Sequence, residues 1–75
     1  MSLSITIKTT TNQIINLDIK PDDTIENIKA MIQFKENISS YDQRLIFAGK
    51  ELEDNKTAEA SKIKNQSILI LVLKK

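Results

Sequence analysis

The order of apolar patterns along the chain predicts an α+β domain, a mixed sheet with one helix packed across one face. Three observations carry this. An alternating pair of segments opens the chain, one stretch of helical spacing follows, and three short strand-like segments come after it. Leu3, Ile5 and Ile7 alternate with Ser4, Thr6 and Lys8, and Ile15, Leu17 and Ile19 alternate with Asn16, Asp18 and Lys20, across the polar turn Thr9–Asn12. A period of two with one buried face is the mark of a hairpin. Ile14 falls on the face opposite Ile15 and is ambiguous at this level. Pro21, Asp22 and Asp23 stop the second strand, because proline cannot continue a ladder and aspartates favour turns.

Thr24 is suited to cap a helix in which Ile25, Ile28 and Ile32 recur at helical spacing, with Glu26 near the positive end and Lys35 near the negative end. Asn37 fits the left-handed residue that ends many helices, and Ile38 is placed to fold back on the last turn. Ser39–Asp42 reads as a loop. Arg44–Phe47 reads as a third strand, Ala48-Gly49 as a turn and Lys50–Leu52 as a short fourth piece. A long polar connection from Glu53 to Gln66 leads to a last strand, Ser67–Leu73. No repeat, linker or second domain is visible, so residues 1–75 read as a single domain.

Seventy-five residues bury only about 60–65% of the surface their unfolded chain exposes, so the core must be shared by every element. The chain has no cysteine, so packing alone must hold it, and this fits a reducing compartment. Thirteen isoleucines, ten lysines and one arginine sit in a chain of formal charge +1, with acidic residues interrupting the lysines. No basic stripe of the kind duplex nucleic acid requires is present. The start Met1-Ser2-Leu3-Ser4 lacks the pattern of a secretory signal, and the longest apolar run, Ile68–Leu73, is far short of a membrane-spanning helix. The expectation is a cytosolic or nuclear protein, mostly monomeric, whose partners are proteins rather than nucleic acid or membrane.

No catalytic constellation can be assembled. There is no histidine to serve a serine nucleophile, a single glycine where a phosphate loop needs several, and no set of metal ligands. No enzyme activity, cofactor or metal is expected. The sheet face is more informative. On the last strand Leu69, Leu71 and Leu73 must point one way and Ile68, Ile70 and Val72 the other. One helix buries one set, and the leucines are the natural partners of Ile25, Ile28 and Ile32. Ile70 and Val72, joined by Ile46, are then expected to form an exposed aliphatic patch. The alternative is that these β-branched residues serve strand propensity alone, but contiguous apolar patches on small domains usually have a use.

The stretches Thr24–Ala30, Gln43–Lys50 and Leu52–Asp54, collinear with the rest of the chain from Leu3 to Lys75, resemble the ubiquitin family. The resemblance implies the β-grasp fold and a partly buried ion pair between Lys29 and Asp54. It implies that Ile46 and Val72 belong to the face on which the family's readers dock, with Arg44, Gly49 and Thr10 around it. Thr10 stands where the family has leucine, and Ile70 where it has histidine. Lys8, Lys29, Lys35 and Lys50 match lysines that accept a further tag, Lys50 being the best placed, whereas Gln13, Met31 and Asn65 hold acceptor positions without an amine. For each retained lysine the plain alternative is a solvated surface charge.

Three departures stand out. The quoted chain lacks the Gly-Gly that conjugating enzymes of the family use, so it is expected to be either a unit cut from a polyubiquitin-like or fused precursor, or a domain that acts without conjugation. An inert or processing-assisting fusion partner is a third reading. Ala58 and Ser61 replace a leucine and a tyrosine, which predicts a less stable domain with a mobile segment from Asn55 to Asn65. Phe34 falls off the apolar stripe of the helix where the family carries aspartate, and is expected to be exposed.

Overall fold

The computed structural model describes residues 2–74. Strands β1 (Leu3–Thr9) and β2 (Ile14–Ile19) form the antiparallel hairpin, helix α1 (Ile25–Glu36) follows, and β3 (Gln43–Phe47), β4 (Lys50–Glu51) and β5 (Ile68–Leu73) complete a five-stranded sheet in the order β2-β1-β5-β3-β4. The parallel β1–β5 pair lies between antiparallel neighbours. One helix lies across this mixed sheet, the β-grasp arrangement. A short 3-10 turn, Ser40–Asp42, occupies what the sequence reads as loop, with the Ser39 hydroxyl accepting from the Tyr41 N–H at 3.3 Å.

Both ends of α1 close as the sequence predicts. Thr24 Oγ1 accepts from the Asn27 N–H at 3.1 Å, and Asn37 takes the left-handed conformation at φ 58° with its N–H on Gln33 O. The remaining early N–H groups need partners too. Ile25 and Glu26 donate to the carbonyls of Lys56 and Asp54, and Ile28 donates to that of Thr24. The long connection between β4 and β5 therefore doubles as the cap of the helix.

This fastening bears on the segment expected to be mobile. Ala58 donates to Asp23 O and Glu59 to Pro21 O, while Ser61 and Ile63 bond back to Thr57 and Ala58. Ala58 and Ile63 are buried in the main core. The expectation of mobility rested on two small side chains. Backbone bonds, which side-chain identity does not reveal, tie this segment to the helix start.

Ile25, Ile28 and Ile32 of α1 meet Ile5, Ile7, Leu45, Leu69 and Leu71 of the sheet in one buried cluster. Leu73 corrects the expected leucine set: it is 40% exposed. It is the last residue of β5, opposite Gln43 at the start of β3, and so lies at the end of the sheet.

Gln43 is fully buried, an unexpected place for a polar amide. Its Nε2 donates to Lys29 O and to Ile38 O, both at 3.1 Å, joining β3 to the helix and to the residue after its cap. The Gln43 Oε1 has no hydrogen-bond partner among the described residues. The period-two phase of β3 places Gln43 on the same face as Leu45, which was the available signal.

The implied ion pair is present: Lys29 Nζ lies 2.7 Å from Asp54 Oδ1, with the lysine side chain almost wholly covered and the aspartate largely exposed. Because Asp54 O also caps Glu26, the pair fixes a side chain to a segment already fixed by its backbone. Lys29→Met keeps the aliphatic stem and removes this charge-assisted bond. It is expected to lower unfolding free energy by about 1–2 kcal/mol in a urea titration, and an unchanged midpoint would remove the pair from the account of stability.

Candidate functional site: the outer sheet face

The face turned away from α1 is set by the phase of β5. Leu69 and Leu71 are buried against the helix, so Ile68, Ile70 and Val72 stand on the outer side. The pairing then fixes their neighbours. Ile46 is opposite Ile70, Lys8 lies beside Ile70 on the other flank, and Ile14 is opposite Lys8. Read across the sheet, one row contains Ile14, Lys8, Ile70, Ile46 and Glu51. Towards one end, Val72 pairs with Arg44; towards the other, Ile68 lies beside Thr6, whose hydroxyl donates to Asn16 Oδ1 at 3.3 Å.

The three residues expected to form the patch are thus brought together. Ile70 is 39% exposed, while Ile46 and Val72 are half-buried by their neighbours. Two further residues belong to this face. Ile14 and Ile68 are 60% and 55% exposed and extend its aliphatic surface to β2 and towards the start of β5. Strand alternation already separated Ile68 from the leucines and Ile14 from Ile15; only the register shows that both share the face of Ile70.

Cations punctuate this surface. Lys8 stands within the row and Arg44 beside Val72, while Glu51 closes the row at β4; Lys50 is opposite Phe47, so alternation sets it on the other side of the sheet from Ile46, and all four are exposed. Thr10 follows Thr9, the last paired residue of β1, in the exposed turn at the Val72 end. The face therefore offers aliphatic contact area with positive charge both inside it and at its edge, a combination suited to an apolar partner surface carrying carboxylates.

The candidate acceptor lysines divide by environment. Lys8 and Lys50 are open to solvent. Lys35 is exposed but its Nζ donates to Asn16 O at 3.0 Å. Lys29 is withdrawn into the core edge and paired with Asp54, so its amine reaches an external electrophile only if that pair opens.

Ala48 and Gly49 join β3 to β4 beside the patch, with φ of 54° and 80°. A two-residue hairpin loop with both central residues at positive φ is the turn that matches strand twist. Gly49 accepts this freely, whereas Ala48 carries the cost of a Cβ in the left-handed region. Among the described residues no cluster of three potential metal ligands occurs, and no helix is long and apolar enough to cross a membrane.

Comparison with known proteins agrees with this geometry. The ubiquitin family's sequence model matches residues 5–75. The chain is 45% identical to ubiquitin-like protein 1 of Schizosaccharomyces pombe, over 92% of this chain and 88% of that protein. It is likewise 45% identical to ubiquitin-like protein NEDD8 of Dictyostelium discoideum, over 92% and 90%. It also matches a small part of a much longer protein, E3 ubiquitin-protein ligase parkin of Drosophila melanogaster, at 35% identity over 91% of this chain and 14% of that one.

The strain at Ala48 is directly testable. Ala48→Gly is expected to raise stability by about 0.5–1 kcal/mol in chemical unfolding, the relief of a left-handed alanine less the extra chain entropy of glycine. A lowered midpoint would contradict the turn geometry.

Proposed function

Because the chain belongs to the ubiquitin family, we propose that it is a ubiquitin-like protein modifier unit, recognised by protein partners through the outer sheet face centred on Ile46, Ile70 and Val72. Its match to nearly the whole length of two small relatives named ubiquitin-like protein and NEDD8 is the observation that carries this reading. Recognition rather than catalysis is the role suited to the residues present. Apolar area at the centre supplies affinity, and Lys8 and Arg44 select partners with acidic residues. With Thr10 and Ile70 in place of leucine and histidine, this face favours a different set of readers from those that the family's more typical face selects. The cytosol or nucleus is the compartment proposed for it.

Conjugation by the family's route requires a Gly-Gly following Lys75. The alternative reading is a domain that binds the same partners without being conjugated, and the match to a segment of a far longer ligase supports it. The intact mass of the endogenous protein, with a search for Gly-Gly remnants on other proteins' lysines, separates the two. Remnants bearing its sequence establish the modifier; a mature end without glycines and without adducts establishes the binding domain.

Recognition itself is tested at Ile46. Since this side chain is half-buried, Ile46→Ala is expected to cost only about 1 kcal/mol of stability, while weakening capture of partners on immobilised protein by at least about tenfold. Undiminished capture by the folded variant would dismiss the outer face as the recognition site and leave the inert fusion partner as the reading.

A further inference from the structure

We propose that the gap between the β3–β4 hairpin and the connection that follows it is a binding site for a single-ring phenol. This neither uses the outer face nor depends on its recognition role.

The cavity has a volume of about 330 Å³ and lies between two stretches of chain, residues 47–53 and 56–62. Phe47 and Leu52, both packed on the main core, give it an apolar wall, and the small residues Ala48, Ala60 and Ser61 leave the space in front of that wall unfilled. A gap of this kind closes when its walls are free to collapse. Here both walls are fastened elsewhere. Leu52 N–H donates to Leu45 O on the sheet side, while Lys56 O accepts from Ile25, Ala58 N–H donates to Asp23 O and Ile63 N–H to Ala58 O. Neither wall can slide towards the other without breaking backbone bonds, so the gap persists. Ser61 stands where the family carries tyrosine, which makes one aromatic ring the natural measure of the missing volume.

Two polar groups define one end of the ligand. The Leu52 N–H turns to β3, so the next N–H along the chain, that of Glu53, turns the other way, and it meets no acceptor among the described residues. The Ser61 N–H is used on Thr57 O, whereas its hydroxyl makes no hydrogen bond among the described residues. Both residues line the cavity. A phenolic hydroxyl suits this pair, because it accepts from Glu53 N–H and donates to Ser61 Oγ at once. A plain hydrocarbon ring would cover both groups and satisfy neither, which is the costly outcome.

The remaining lining selects the charge and the body of the ligand. Lys50, Lys56 and Lys62 share the cavity with Glu51 and Glu53, so opposite charges nearly cancel. A neutral ring therefore enters without the desolvation that an anion requires. Phe47 offers it an aromatic partner for an offset or edge-to-face contact. By alternation Phe47 and Lys50 stand on the side of the sheet opposite Ile46, which separates this site from the outer patch.

The test titrates ¹⁵N-labelled protein with p-cresol and, separately, with toluene, which lacks the hydroxyl. The expected result is saturable amide shifts confined to residues 47–53 and 56–62, largest at Glu53, with toluene at least about tenfold weaker. Ser61→Tyr fills the gap with the chain's own ring and is expected to abolish the p-cresol shifts while raising the melting temperature. Ser61→Ala keeps the space but removes the second hydrogen-bonding group, and is expected to narrow the preference for p-cresol over toluene. Ile46→Ala is expected to bind p-cresol as the parent chain does. The proposal is overturned by absence of saturable shifts at millimolar p-cresol, by shifts centred on Ile46 and Ile70 or on Phe34, by equal affinity for toluene, or by undiminished binding to folded Ser61→Tyr. The toluene comparison is made on the parent chain and decides the matter whether or not Ser61→Tyr folds.

Discussion

One helix of twelve residues must serve a sheet of five strands, and the rest of the molecule follows from that mismatch. A helix about 10 Å wide cannot cover a sheet about 19 Å across, let alone both its faces. Ile25, Ile28 and Ile32 therefore define the inner face wherever they land, and every outward β5 residue is left to solvent or to a partner. The outer aliphatic surface is the geometrical remainder of the core. What the sequence adds is the choice to fill that remainder with isoleucine and valine.

The two flanks left by the narrow helix are closed differently. At the helix start, the long connection contributes Leu52, Ala58 and Ile63 to the core and its carbonyls to the first N–H groups of α1. Hydrogen bonding and burial there reinforce one another, since the amide capped by Lys56 O belongs to the buried Ile25. On the β2 flank no such segment exists. Leu17 and Met31 close the core edge with their own side chains, Phe34 stands exposed beside them, and Lys35 covers a single carbonyl. The same shortage of covering elements thus produces a sealed flank on one side and an open groove on the other.

Those features governed by alternation and by end signals were legible in the chain itself: the hairpin, both caps of α1, the outward direction of Ile70 and Val72, and the exposure of Phe34. Each depends on residues within about one turn or one strand. The features that escaped depend on which distant segments meet. Ile14 joins Ile70 only through the β1–β2 and β1–β5 registers together. Gln43 is buried because its amide finds the Lys29 and Ile38 carbonyls, neither of which is adjacent in sequence. Leu73 is exposed although its phase is inward, being the last residue of β5 at the end of the sheet. The connection expected to be loose is fastened by backbone groups, which every non-proline residue carries alike.

The placement of charge ties the two surfaces together physically. Lys8 on the outer row and Lys35 at the β2 edge both sit where hydrophobic or strand-like surface would otherwise be continuous. A lysine there need not add much stability, because an exposed ammonium loses little hydration and gains little from its neighbours. Its effect is on association: an apolar surface or an unpaired edge that lacks a carboxylate must desolvate the ammonium without compensation, while one that supplies a carboxylate recovers that cost. Exposed isoleucines and an open strand edge that carry ammonium groups thus make indiscriminate contact costlier than bare ones would.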